Sequence, residues 1–255
     1  MQQRQSISVT LITLNEAGNV GDCLESVAWA DEIIVLDSGS TDGTPDICRK
    51  YTDRVYVTDW PGYGPQKNRA LDYATGDWVL SIDADERVTD ELRREIEQAA
   101  GAAGHDAYSI PRSSSYCGRF LRHGGWWPDR VIRLFRRDKA RFSDSIVHET
   151  VVVDGSVGQL CSPLLHYTYR TLDDVVSMIN RYSSASAEAM YRAGKRGGLG
   201  RAIGHGAWVF LRTYVLRLGL LDGREGFMLA VSNAELAYYK YLKLAGLHKA
   251  AAKEQ

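Results

Sequence analysis

The sequence predicts an α/β fold built on a doubly wound, mostly parallel sheet flanked by helices. Three observations carry that reading. Ser6–Leu14 (SISVTLITL) is rich in β-branched side chains and free of charge, the mark of a strand buried on both faces. Two similar runs follow, Glu32–Asp37 (EIIVLD) and Trp78–Asp83 (WVLSID). Each run is succeeded by a short stretch of helical periodicity, and strand–helix alternation is how parallel sheets are written.

Taken in order, residues 18–29 read as a helix after the first strand. The second strand is closed by the turn-forming SGSTDGT, and Thr44–Tyr51 is a short helix with Pro45 in its first turn. Arg54–Val57 is a short third strand, Pro65–Ala74 a helix and Trp78–Asp83 a fourth strand. Thr89–Ala100 is an amphipathic helix with Thr89 placed to cap it. Asp106–Ile110 begins another strand. Strands are expected at 130–136, 149–153 and 157–161, the last two joined as a hairpin at Asp154-Gly155. From residue 171 the pattern turns helical. Asp173–Ala193, Arg201–Leu221 and Glu225–Leu244 are separated by the basic, glycine-rich GKRGGLG. In the last helix Phe227, Ala230, Val231, Ala234, Tyr238, Tyr241 and Leu242 form the expected apolar stripe. The expected division is a catalytic domain over 1–170 and an amphipathic helical extension over 171–255.

The 255 residues carry 31 basic and 32 acidic side chains, yet the near-neutral sum conceals blocks. Residues 1–111 hold 9 basic and 20 acidic groups, 112–141 hold 9 and 2, and 170–255 hold 13 and 7. The acidic front argues against a nucleic-acid binder, because it would repel phosphate. Cys23, Cys48, Cys117 and Cys161 form no C-x-x-C pair, which excludes a zinc ribbon and favours free thiols. The N-terminus lacks the pattern of a signal peptide. The most apolar stretch, 206–221, is interrupted by Arg212 and Arg217 and is too short to span a bilayer. A cytoplasmic protein is expected.

In a sheet of this class ligands bind where strands end at their carboxyl edge. Asp83-Ala84-Asp85 follows the fourth strand, and on extended backbone residues two apart share a side. Two such carboxylates favour a hard cation, Mg²⁺ or Mn²⁺, able to bridge to diphosphate. The alternative is a solvated acidic turn. Asp37 ends the second strand before a run of small residues, where a carboxylate can accept from a base or a ribose hydroxyl. Asp42 and Thr44 suit capping of the next helix. Thr13-Leu14-Asn15-Glu16 follows the first strand.

In this order and spacing, T-L-N-E, D-S-G-S-T-D-G-T, Q-K-N-R-A (66–70) and D-A-D-E resemble family 2 glycosyltransferases of the GT-A type, over roughly residues 6–170. Within that family the segments 29–44, 60–68 and 214–227 look most like bacterial lipopolysaccharide core β-glucosyltransferases. The resemblance implies inverting transfer of a hexose from a nucleotide-diphosphate sugar, UDP-glucose foremost, to a lipid-held saccharide. Thr13, Leu14, Asn15, Glu16, Asp37 and Ser38 would hold the nucleotide, with Gln66, Lys67, Asn68 and Asp83 on the rest of the donor. Asp85, Asp83 and His166 would hold Mn²⁺ or Mg²⁺.

Inversion also requires a carboxylate to take the acceptor's proton. The Glu-Asp pair by which many relatives supply it is missing here. Glu149, beside His148, is the first candidate and Asp129 the second. Trp126-Trp127 could stack on a sugar or pack internally. The basic run from Arg130 to Arg141 suits diphosphate or an anionic acceptor, or a solvated edge strand. The aromatic, leucine-rich and basic tail fits an anionic membrane surface, a homo-oligomer interface, or both, which would place the enzyme peripherally on the inner face of the cytoplasmic membrane. The competing readings are a catalytically silent nucleotide-sugar-binding scaffold and a family 2 transferase for another bacterial surface glycan.

Overall fold

The structure is a computed structural model that describes residues 5–102, 104–144 and 149–251. In chain order the strands and helices are β1 (Ile7–Thr13), α1 (Val20–Ser26), β2 (Glu32–Asp37), α2 (Thr44–Cys48), β3 (Val55–Val57), α3 (Tyr63–Tyr73), β4 (Trp78–Asp83), β5 (Glu86–Val88), α4 (Asp90–Gly101), β6 (Ala107–Tyr116), β7 (Arg119–Phe120), β8 (Asp129–Arg136), β9 (Ala140–Phe142), β10 (Val151–Val153), β11 (Val157–Gln159), β12 (Leu164–Tyr169), α5 (Leu172–Arg192), α6 (Leu199–Leu211) and α7 (Gly223–Ala251). They form two compact units, Met1–Arg112 with Asp129–His166, and Ser113–Pro128 with Tyr167–Gln255.

In the first unit the three apolar runs are the centre of the sheet. β1 lies between β2 and β4, parallel to both, and β3 adds parallel to β2. β8 then joins β4 antiparallel, followed by β6. Val9, Leu11, Leu80 and Ile82 are buried among Val20, Leu24, Leu92 and Ile96 of α1 and α4. In α4 the buried residues fall at Leu92, Ile96, Ala99 and Ala100, and the Thr89 side chain accepts from the Leu92 N–H at 3.2 Å, as expected of a cap. Cys23 and Cys48 are buried, and all four cysteines are free. Burial pushes the Cys48 thiol up to about 11, so it is an inert part of the core.

The hairpin expected at Asp154-Gly155 does not form. β10 instead pairs antiparallel with β9, and β11 runs parallel to β6. The turn is drawn to Asp106, whose Oδ2 accepts from the Ser156 N–H at 2.8 Å and the Ser156 hydroxyl at 3.1 Å. An open β6 edge and a free β9 edge thus outcompete the local turn.

In the second unit α7 packs with both α5 and α6. α5 opens with a capping box between Thr171 and Asp174, and buries Val175, Ile179, Ser183 and Ala187 at a spacing of four. The apolar stripe expected on α7 is present but widened, with Ala230 buried and Val231, Ala234, Tyr238, Tyr241 and Leu242 half-buried. Gly226, Leu229, Ala230, Ser232, Ala237 and Leu244 are buried while Phe227 is exposed, because two helices meet α7 on different faces. The helix expected over 201–221 is broken. After α6 come a π-turn (Arg212–Leu216), Leu218 in the left-handed region (φ 57°) and a 3₁₀ turn (Gly219–Asp222). Gly219 permits this corner, since a Cβ there would meet the Thr213 carbonyl oxygen at 2.7 Å.

Asp222 fastens the corner. Its carboxylate accepts from the backbone N–H of Arg122 and of His123, the latter at 2.7 Å, and lies 3.0 Å from His123 Nδ1. Asp222→Ala is expected to lower stability by about 2–3 kcal/mol, the cost of stranding charge-assisted donors. Urea denaturation of the full chain measures it, and an unchanged midpoint would refute this role.

Candidate active site

The carboxyl ends of β1, β2 and β4 bring most of the sequence-predicted residues together. Asp37 is fully buried and its carboxylate is saturated from within. Gly39 and Ser40 N–H donate to Oδ1 at 3.0 and 2.8 Å, and the hydroxyls of Ser40 and Thr13 donate to Oδ2 at 2.5 and 2.9 Å. Asp37 therefore shapes the loop after β2. The loop after β1 is stitched to it. Asn15, left-handed at φ 55°, accepts from the Thr41 N–H at 2.9 Å, and its own N–H donates to Ser40 Oγ at 2.7 Å. Glu16 N–H donates to Thr44 Oγ1 at 2.8 Å, and its carboxylate accepts from Asn19 Nδ2. Leu14 stands half exposed on the rim. Backbone and small polar groups thus form a pre-set bed at the strand ends.

Gln66, Lys67 and Asn68 fan outward from α3, because consecutive helical residues are turned about 100° apart. Gln66 donates to Ser38 Oγ at 3.1 Å and to Thr58 Oγ1 at 2.7 Å. Asn68 is clamped to the Phe142 backbone in both directions, at 2.8 and 2.9 Å. Lys67 is thereby aimed between two carboxylates, with Nζ 3.1 Å from Asp83 Oδ1 and 2.8 Å from Glu149 Oε1.

The D-A-D-E segment is a turn, so the extended two-residue geometry expected of Asp83 and Asp85 ends at Asp83. Glu86, fully buried in β5, folds the turn back by accepting the Asp83 N–H at 2.9 Å. Arg87 Nη1 donates to the carbonyls of Ala84 and Glu86, each at 2.8 Å. Asp83 then faces Lys67 and Arg133, whereas Asp85 Oδ2 lies 3.2 Å from His166 Nε2. The β5–β12 register explains the latter pair, because it sets His166 opposite Glu86.

Arg133 of β8 is buried and donates to both Asp83 and Glu86, the latter at 2.6 Å. Arg112 Nη1 lies 3.6 Å from Glu86 Oε1, and Arg112 also donates to Asp129 Oδ2 at 2.9 and 2.6 Å. The result is a run of alternating charge, Asp129–Arg112–Glu86–Arg133–Asp83–Lys67–Glu149, joining the two candidate bases. Burial alone would raise the Asp83 carboxyl, but Arg133 and Lys67 outweigh it and hold Asp83 well below the ordinary carboxylate range. Burial opposes the Arg133 charge, yet Asp83 and Glu86 fix it more firmly. Sequence reasoning missed the parts of Glu86 and Arg112. In the sequence Glu86 is the last of a run of acidic residues and Arg112 the first of a run of basic ones, and neither pattern names a partner.

A cavity of about 370 Å³ opens beside this run, lined by Lys67, Asp83, Arg112, Arg130, Arg133 and Glu149 among others. Asp129 is not on its wall. His148 lies outside the described residues. Trp126 packs edge-on to Tyr116, and the Arg122 guanidinium sits 4.4 Å from the Trp127 ring centre, so both rings have protein partners within the second unit.

Among the described residues no three metal-ligating side chains converge. Asp85 and His166 nonetheless offer one oxygen and one nitrogen donor side by side, and are only partly covered. That pair of donors could hold a divalent cation.

Residues 8–153 match the family model described as Glycosyl transferase family 2. The lipopolysaccharide core biosynthesis glycosyltransferase LpsC of Rhizobium meliloti is 33% identical over 95% of this chain and 93% of its own length. An uncharacterized glycosyltransferase of Rickettsia typhi is 31% identical over 98% of this chain and 89% of its own length. Among solved structures, the mannosyltransferase PcManGT from Pyrobaculum calidifontis, in complex with GDP-Man and Mn²⁺, superposes with a TM-score of 0.50 at 16% identity, over 99% of this chain and 76% of that one. At that identity the likeness is one of fold, and it is the GT-A arrangement expected from the sequence.

Proposed function

Since the chain belongs to glycosyl transferase family 2, we propose that it moves a hexose, glucose from UDP-glucose, with inversion onto a lipid-held saccharide such as the lipopolysaccharide inner core. The core-biosynthesis role of the Rhizobium relative supports the acceptor class. The observation that carries the mechanism is Lys67 standing between Asp83 and Glu149 on the wall of one cavity. In this reading residues 1–170 perform catalysis and 171–255 serve attachment.

The nucleotide lies on the bed made by Thr13–Glu16 and Asp37–Ser38, with Gln66 and Asn68 fixing α3 beneath the donor. Asp83, kept ionised, accepts from the donor's hydroxyls, and Lys67 meets the diphosphate. Asp85 and His166, joined by Asp83 of the same motif, would hold Mn²⁺ or Mg²⁺, which would supply neutralisation of the diphosphate charge when bound. Glu149 takes the proton of the acceptor hydroxyl as its oxygen bonds to the anomeric carbon. The bond from that carbon to the diphosphate breaks on the opposite face, releasing the nucleoside diphosphate.

The test is thermal stabilisation by UDP-glucose, UDP-N-acetylglucosamine, UDP-galactose and GDP-mannose, with and without Mn²⁺. Ligand at about 100 times its dissociation constant adds about 2.7 kcal/mol. Stabilisation is expected to be greatest with UDP-glucose and Mn²⁺, and Asp85→Asn should weaken the Mn²⁺-dependent part by about tenfold or more. No stabilisation by any donor with metal would overturn the proposal.

A further inference from the structure

The second unit carries a surface that the transfer reaction does not use. α6 buries only Ala202 and Gly206, and Gly206 is where α7 comes close, a Cβ there reaching Ala234 O at 3.4 Å. Leu199, Ile203, Trp208 (50% exposed) and Leu211 are exposed on the helix, whereas Val209 and Phe210 are half-buried and His205 stacks on Tyr241. The broken corner continues it, with Leu216 at 60% and Leu221 at 56% exposure. A helix facing water on that side would be polar there, so a contiguous apolar face of this kind marks a contact surface.

Charge identifies the occupant. Residues 193–224 contain Lys195, Arg196, Arg201, Arg212, Arg217 and Arg224 against one acid, Asp222, which is buried. Arg196, Arg201, Arg212 and Arg217 form no ion pair among the described residues. On α6 and its continuation, Arg201 and Arg212 border the side that holds Trp208. A second copy of the chain would set this positive rim against itself, and like charges repel. An anionic lipid surface would meet both the leucines and the arginines. No described helix is long and apolar enough to cross a membrane, so contact would lie in the plane of the interface. We propose that the exposed face of α6 and the leucine corner after it seat in the headgroup layer of an anionic phospholipid bilayer.

The experiment is co-sedimentation of the full chain with vesicles of phosphatidylcholine alone and with added phosphatidylglycerol. The chain is expected to sediment with the anionic vesicles, less so as salt rises, and to stay in solution with the neutral ones. Arg201→Glu/Arg212→Glu and Trp208→Glu/Leu216→Glu should each reduce partitioning by about tenfold or more. Both double variants should keep the wild-type melting temperature and the donor-induced thermal shift. Failure here therefore stays distinguishable from failure of the donor reading. Wild-type protein that ignores anionic vesicles, or variants that bind them equally well, would overturn the proposal. So would light scattering that finds a wild-type dimer, made monomeric by the variants, with no vesicle binding.

Discussion

Glu149→Gln is expected to slow sugar transfer by about 10²–10⁴-fold, the usual worth of a general base, while donor binding stays near the wild-type level. The reason is local. Glu149 Oε1 lies 2.8 Å from Lys67 Nζ on the cavity wall, and an amide oxygen can still accept from that ammonium. The side chain keeps its place but can no longer take a proton. Single-turnover transfer with a saccharide acceptor, set beside nucleotide binding by calorimetry, separates the two effects. Asp129→Asn is the control. Asp129 is held by Arg112 and lies off the cavity wall, so this variant should transfer at close to the normal rate. If the glutamine variant transfers normally and the asparagine variant does not, the base is Asp129.

Arg133→Met is expected to cost about 3–5 kcal/mol of stability, because it removes one partner from a buried ionic cluster and leaves Glu86 and Asp83 under-compensated. The pH dependence gives a second check. In the wild type the Asp83 carboxyl is depressed, so its contribution is complete above the ordinary carboxylate range. It is lost only as pH falls through the lower folded value, and stability should be flat across neutrality on this account. Without Arg133, burial disfavours the Asp83 charge with Lys67 as the remaining cation beside it. Protonation then relieves the variant, and its deficit should be smaller at about pH 5 than at about pH 8. Chemical denaturation at both values measures this. A deficit under about 1 kcal/mol, or one independent of pH, would show the cluster to be dispensable.

Much of this was legible in local sequence. Short runs with an apolar, β-branched middle suit strands buried on both faces, which explains why β1, β2 and β4 lie side by side. Thr89 and the i, i+4, i+7 spacing of Leu92, Ile96 and Ala99 placed α4 nearly to the residue. The strand-end motifs marked the site, since only there does a parallel sheet present unpaired backbone and short loops to a ligand. Less legible was what each polar group touches. Asp37 looked like a bare ligand carboxylate, yet Thr13, Gly39 and Ser40 already occupy it. Glu86 looked like the tail of an acidic turn, yet it is fully buried and anchors Arg133.

The hairpin at Asp154-Gly155 and the unbroken helix over 201–221 failed for a common reason. Turn and helix propensities are worth a kcal/mol or so per residue, and a free strand edge or a close backbone approach at Gly219 outweighs them. Residues 113–128 packing with the C-terminal helices, through Asp222 and through the 2.7 Å contact of Tyr116 with Ser232, has no local signature at all. Hydrophobic period and short motifs were enough for the α/β class, the family and the strand ends where the chemistry gathers, because all three are local properties of the chain. That Lys67 stands between Asp83 and Glu149, and that Asp85 meets His166, emerges once the chain is folded. Those pairings join residues up to 82 positions apart, and the register of β5 with β12 and the clamp of Asn68 on β9 bring them together.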